Sequence, residues 1–149
     1  MTVRVQEAPF DPGAEISAFC SGDPGIGGVS TFIGLVRDIH EGARVDAMTL
    51  EHYPGMTERK LEEIEAEARR RWPLDRTLVI HRFGRMLPGE PIVLVAAASA
   101  HRGAAIDACT FLIDWLKTSA PFWKHEEGPD GGRWVDARES DEQARRRWL

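Results

Sequence analysis

The sequence predicts an α+β domain in which helices pack against an antiparallel sheet and its hairpins. Three observations carry this expectation. Strand-like and helix-like runs follow the order β-α-β-β-α-β-β-α-β-β-α, with strands arriving in adjacent pairs between helices, unlike the single strands of a doubly wound sheet. The unbroken apolar run at 91–98, PIVLVAAA, reads as the buried centre of a sheet. The chain has 149 residues, 42% hydrophobic and 29% charged, enough for one domain over residues 1–149 with no repeat or linker.

Each element has a local cause. Val3 and Val5 alternate with Arg4 and Gln6, the pattern of a short edge strand. Asp11-Pro12 opens a helix, Asp11 as its cap and Pro12 at the first helical position, and Gly22 closes it. The glycines of 22–28 form a turn. No Gly-Lys-Ser/Thr follows them, and the next element is a strand where a dinucleotide fingerprint needs a helix. That strand, 29–36, holds Gly34, which marks a bulge or a close approach. Residues 45–53 are expected to pair back on it as a hairpin, with Met48 and Leu50 inward.

A long helix follows to about Trp72, with Leu61, Ile64, Ala68 and Trp72 as its buried stripe. Its early glutamates and late arginines suit the helix dipole and read as a solvated face. Strands at 78–83 and 91–98 are linked by the turn at 86–90. Ala105, Ala108, Cys109, Leu112, Ile113 and Leu116 give a third helix its apolar face, with Asp107, Asp114 and Thr118 opposite. After Pro121 the chain returns as a short strand, turns at 128–132, and makes a last strand at 133–135. Ser140 has capping-box spacing before a short final helix.

Composition narrows the function classes. A net charge of -5 argues against a general nucleic-acid binder. No apolar leader or membrane-length run occurs, and Cys20 and Cys109 form no CxxC pair, so a cytoplasmic, reduced protein is the expectation. Both cysteines read as inert. The five histidines form no HxH or HExxH, so neither a metal nor another cofactor is called for.

What remains is a set of cations: Arg37, His101, Arg102, Lys117 and Lys124. His101 and Arg102 stand at a helix mouth, where unpaired N–H groups already concentrate positive potential, so an anionic guest would relieve the conflict. Lys117 sits at the border of its helix's apolar face, and the return past Pro121 can bring Lys124 beside it. Such a set suits binding and polarising an anionic substrate, with a lysine as acid, base or nucleophile. It also fits surface lysines beside a core-packed Phe122/Trp123 pair. A pocket that captures an anionic tail without chemistry is the second class. Phosphoryl transfer is a third, without a P-loop or clear magnesium carboxylates.

Seven segments in order, VSTFIGLVRD, LEHYPGMTE, ARRRWPL, VIHRFGRMLPGE, SAHR, LKTSAPFWKHE and GRWVDARESD, resemble the large, catalytic subunits of molybdopterin synthase. The resemblance runs from about Gly28 to the C-terminus. It implies an α/β-hammerhead architecture and a homodimer, a heterotetramer once two copies of a small ubiquitin-like sulfur-carrier subunit are added. That subunit's C-terminal Gly-Gly thiocarboxylate would deliver sulfur to cyclic pyranopterin monophosphate (precursor Z), forming the molybdopterin dithiolene. Sulfur then arrives on the partner, and no catalytic cysteine is required. The resemblance further implies Lys117 and Lys124 as catalytic residues. It implies substrate contacts from Leu35, Val36, Arg37, His101, Arg102, His125 and Glu126, with Arg138 reaching in from the second protomer and Glu126 orienting Lys124. Leu35, Ser119 and His125 depart from the more polar or basic residues common in relatives.

Overall fold

The computed structural model describes residues 2–135 and 139–149. In chain order it contains β1 (Thr2–Gln6), α1 (Pro12–Phe19), β2 (Gly28–Leu35), β3 (Ile39–His40), β4 (Ala43–Arg44) and β5 (Ala47–His52). Then come α2 (Met56–Arg71), β6 (Arg76–Arg82), β7 (Gly84–Met86), β8 (Pro91–Ser99) and α3 (Arg102–Ser119). The chain closes with β9 (Phe122–Gly128), β10 (Gly131–Val135) and α4 (Glu139–Arg146). The α+β expectation holds.

One sheet has the order β1-β6-β8-β2. Its strand β8 is antiparallel to both neighbours, and β1 lies parallel to β6 at the edge. Alternation along β8 explains why its sequence is apolar throughout. Val93, Val95 and Ala97 face Leu61, Ile64, Ala68, Ala108 and Leu112 of α2 and α3. Leu94, Ala96 and Ala98 face the other way, against Phe19 of α1. Asp11 caps α1 as its sequence position suggests, accepting from the Ala14 N–H at 3.2 Å. The bulge expected at Gly34 is present as a register shift between Gly34 and Leu35.

The second sheet has the order β10-β9-β5-β7, and here the expected pairing fails. β5 does not return on β2; it pairs with β9 and β7. The intervening residues make their own small hairpin, β3/β4, turning on Glu41 (φ 51°) and Gly42 (φ 79°). Two consecutive positive φ values suit the tight turn that matches strand twist. That hairpin absorbs the reversal, so β5 leaves the first sheet and meets a strand 75 residues further on (Ala47 opposite Glu127 to His52 opposite Phe122).

Two further readings need correction. Glu65 is not on a solvated face: it is 3% exposed and accepts from the buried Thr77 hydroxyl. Burial pushes its carboxyl up, partly offset by that hydrogen bond. Asp114 does not face water either. Its Oδ2 accepts from Arg147 at 2.7 Å and from the Trp148 indole at 2.8 Å, which fastens the C-terminal segment to α3.

Candidate functional site

The end of α3 and the start of β9 build the site. Ala120, the C-cap of α3, is extended (ψ 135°), and Pro121 prevents the helix from continuing. Lys117 thus stands in the last helical turn, where the carbonyl end of the dipole favours a cation. Alternation along β9 then turns Phe122, Lys124 and Glu126 to one side and Trp123 and His125 to the other. The first three line a cavity of about 310 Å³ together with Lys117. Leu35, Val36 and Arg37 close it at the end of β2, Met48 and Leu50 from β5, and Asp141 from α4. Its size is at the small end for a ligand pocket.

The charge on its wall is unusual for this chain. There are 19 lysines and arginines but only three lysines, Lys60, Lys117 and Lys124, and two of these line the cavity. Everywhere else the chain uses arginine almost exclusively. A compact ammonium that can give up its proton differs chemically from a guanidinium that cannot. Glu126 does not cancel these charges by pairing with Lys124. It is 7% exposed, and its Oε1 lies 2.7 Å from His40 Nδ1 and 3.6 Å from an Arg133 guanidinium nitrogen.

His40 and His81, both on the cavity wall, escaped the sequence reading. His40 looked like a turn residue because its partner, Glu126, is 86 residues away. His81 had a visible signal, a histidine inside the apolar strand run VIHRF. It is buried, its Nδ1 lies 2.8 Å from the Arg82 carbonyl oxygen, and its ring stacks on Phe122 at 3.9 Å and 18°. Burial lowers its pKa to about 4; the bond to the Arg82 carbonyl opposes this, and the charges of Lys117 and His52 add to it.

A stability test follows from the sign of this shift. Between about pH 4 and 6.5 the unfolded chain binds the His81 proton and the folded chain does not. Stability from this residue is therefore complete above 6.5 and is lost as pH falls through 4, about 3 kcal/mol in all. Glu65 titrates in the opposite sense. Urea unfolding of the parent and of His81→Gln at pH 7 and pH 4.5 separates the two, and the parent should lose more stability on acidification than the variant.

His101 and Arg102 lie elsewhere. His101 is the N-cap of α3 and both side chains are exposed, roughly 22 Å along the helix from Lys117 at 1.5 Å per residue. The glycine turn has its reason at this end: a Cβ on Gly27 would stand 2.1 Å from the Ala100 carbonyl oxygen. His125 points away from the cavity, its ring edge-on to Trp134 at 5.0 Å. Arg138 lies outside the described residues. Within one chain the structure therefore joins Leu35, Val36, Arg37, Lys117, Lys124 and Glu126, and separates them from His101, Arg102 and His125.

Comparison with known proteins gives consistent results. The family model described as MoaE protein matches residues 5–119. The chain is 57% identical over 148 residues to the molybdopterin synthase catalytic subunit of Pseudomonas aeruginosa, covering 99% of each. It is 55% identical to that of Escherichia coli, with 98% and 97% covered. Among solved structures, the molybdopterin biosynthesis MoaE protein of Burkholderia ambifaria superposes with a TM-score of 0.83 at 52% identity, covering 99% of this chain and 97% of that one. Molybdopterin synthase from Staphylococcus aureus superposes at 0.81 and 30% identity, with 89% and 96% covered.

Proposed function

The chain belongs to the MoaE family, the catalytic subunits of molybdopterin synthase, and we propose that Lys117 and Lys124 carry its chemistry. It is a sulfur-transferring enzyme of molybdenum cofactor biosynthesis. The supporting observation is the convergence of two of its three lysines, from different elements, on one cavity that also holds Arg37. The sulfur donor is the C-terminal thiocarboxylate of a small ubiquitin-like subunit, and the acceptor is cyclic pyranopterin monophosphate. An ammonium beside the tail's terminal carbonyl neutralises the thiocarboxylate and stabilises negative charge as it gathers on the carbonyl oxygen. Arg37 contributes a planar fork for phosphate or carboxylate. Leu35, Val36 and Glu126 shape the rest of the wall.

His101 and Arg102 cannot serve the same small substrate from roughly 22 Å away along α3. In a two-fold homodimer, the helix mouth of one protomer can complete the cavity of the other, and there it would take the cyclic phosphate. Trp134, 60% exposed on the outer strand β10, supplies apolar surface for such an interface. Two small subunits on this dimer make a heterotetramer. The reaction is placed in the cytoplasm, in keeping with two free cysteines. Among the described residues no helix is long and apolar enough to cross a membrane.

The test supplies purified protein with thiocarboxylated small subunit and precursor Z and follows dithiolene formation. Arg102→Ala and Lys117→Ala should each be inactive alone. Mixed and allowed to exchange, they should regain about a quarter of parent activity, since half the dimers carry one intact composite site. No recovery on mixing would remove the shared site, and tail binding without dithiolene would make the chain a capture module only.

A further inference from the structure

We propose that His40 is a positioning residue for Lys124 and acts through Glu126: it holds the Glu126 carboxylate away from the Lys124 ammonium. Lys124 and Glu126 share one face of β9, about 6.6 Å apart along the strand. A carboxylate at that distance is within reach of a lysine's long stem, and pairing would neutralise the ammonium before a substrate arrives. The structure shows a different pairing. Glu126 Oε1 lies 2.7 Å from His40 Nδ1 and 3.6 Å from an Arg133 guanidinium nitrogen. Lys124 has no hydrogen-bond or ion-pair partner among the described residues, and its neighbours directly across the sheet are the apolar Leu50 and Val135. A buried carboxylate taken up elsewhere thus stands beside an unpaired lysine on one cavity wall.

Geometry decides which of the two cations aims Glu126. A carboxylate only accepts, so Nδ1 carries the proton and donates whether the imidazole is neutral or charged. Arg133 faces Glu126 across the β9/β10 register, but it stands outside hydrogen-bond distance and its side chain is half exposed. It screens the carboxylate without fixing an oxygen. The His40 side chain is 13% exposed and arrives on the β3/β4 hairpin, which is itself fastened to β9. The Asp46 N–H donates to the Glu127 carbonyl at 2.7 Å. Gly128 admits the hairpin closely, since a Cβ there would stand 2.6 Å from the Arg44 carbonyl oxygen. The other ring nitrogen, Nε2, is covered and has no hydrogen-bond partner among the described residues, with a Glu41 carboxylate oxygen 3.9 Å away. The contact with Glu126 is therefore what anchors the ring, and it gives the small hairpin a part in the site.

This inference rests on Lys124 being a reacting lysine, and the experiment separates the two. His40→Leu removes the donor; His40→Asn keeps an amide nitrogen near the position of Nδ1. With only three lysines, the ammonium protons of each can be assigned by NMR. Those of Lys124 should exchange with water about tenfold more slowly in His40→Leu, because the released carboxylate pairs with them. Single-turnover dithiolene formation with thiocarboxylated small subunit and precursor Z should fall about tenfold in the same variant. His40→Asn should reverse most of both effects. In a Glu126→Gln background, where no carboxylate can be released, His40→Leu should cost less than about twofold further. A merely structural histidine would cost the same in either background. If His40→Leu does not fold, His40→Gln, whose amide falls at the Nε2 end, gives the same comparison with His40→Asn. Unchanged Lys124 exchange on loss of the donor, or an equal loss of rate in both backgrounds, overturns the proposal. Full activity in Lys124→Ala removes the catalytic reading of Lys124, and the exchange measurement alone then decides whether His40 holds Glu126 away from it.

Discussion

Lys117→Ala is expected to lower single-turnover dithiolene formation by at least about 10³-fold, and Lys124→Ala by about 10²-fold or more, while small-subunit affinity stays within about threefold. The asymmetry between rate and affinity is the informative part. A ubiquitin-like partner docks through a broad surface and a tail, so one ammonium at the tail's end contributes little to holding it. The same ammonium faces a carbonyl oxygen that gains charge during transfer, and there its effect is largest. Neither lysine belongs to the core: Lys117 is exposed and Lys124 lies partly open on a strand face. Both variants should therefore unfold within about 1 kcal/mol of the parent. Lys→Arg should recover little, because a guanidinium keeps the charge but differs in shape and holds its proton. Rates are read in a rapid-quench assay and affinities by calorimetry on the same preparations. A loss of affinity that matches the loss of rate would make the lysines docking residues, not catalytic ones.

How far the sequence foretold this site depends on the range of each interaction. Lys117 and Lys124 were placed together by local rules alone: a helix, a proline stop and a strand of period two. The centre of the first sheet was equally legible, since eight apolar residues in a row fit a strand covered on both faces. The second sheet was not. β5 has the same alternation whether it pairs with β2 or with β9, and nothing local chooses between them. His40 and Glu126 were separated for the same reason, 86 residues apart in the chain, and Glu126 had a closer apparent partner in Lys124. His81 was missed although its position in a buried strand gave the clue. His101 and Arg102 show the opposite failure. They were grouped with the lysines because one helix and the strand returning from it carry the set, yet the length of that helix is what keeps its two ends apart.

Phe111→Ala should be the most destabilising single core change in α3, at about 3–5 kcal/mol. Phe111 is absent from the six-residue apolar stripe read from the sequence, because it lies one position off the i, i+3, i+4 series. In the structure it is fully buried and sits at the hub of an aromatic cluster. Trp72 meets it edge-on at 5.4 Å, Trp148 at 5.7 Å and 90°, and Trp115 at 5.2 Å; the Arg71 guanidinium covers its ring at 4.8 Å. These neighbours come from the end of α2, from α3 itself and from the C-terminal segment, so no single side chain can move to fill the gap. Large rigid rings collapse poorly into a cavity, which places the cost in the upper part of the Phe→Ala range. Phe111→Leu retains most of the volume and should cost less than half as much. Urea unfolding gives both values. Because Trp148 also ties α4 to Asp114, the alanine variant should lose protection from hydrogen exchange in α4 before the rest of the fold. A cost under about 1.5 kcal/mol would show that the cluster repacks, and that α3 takes its position from the sheet and not from these rings.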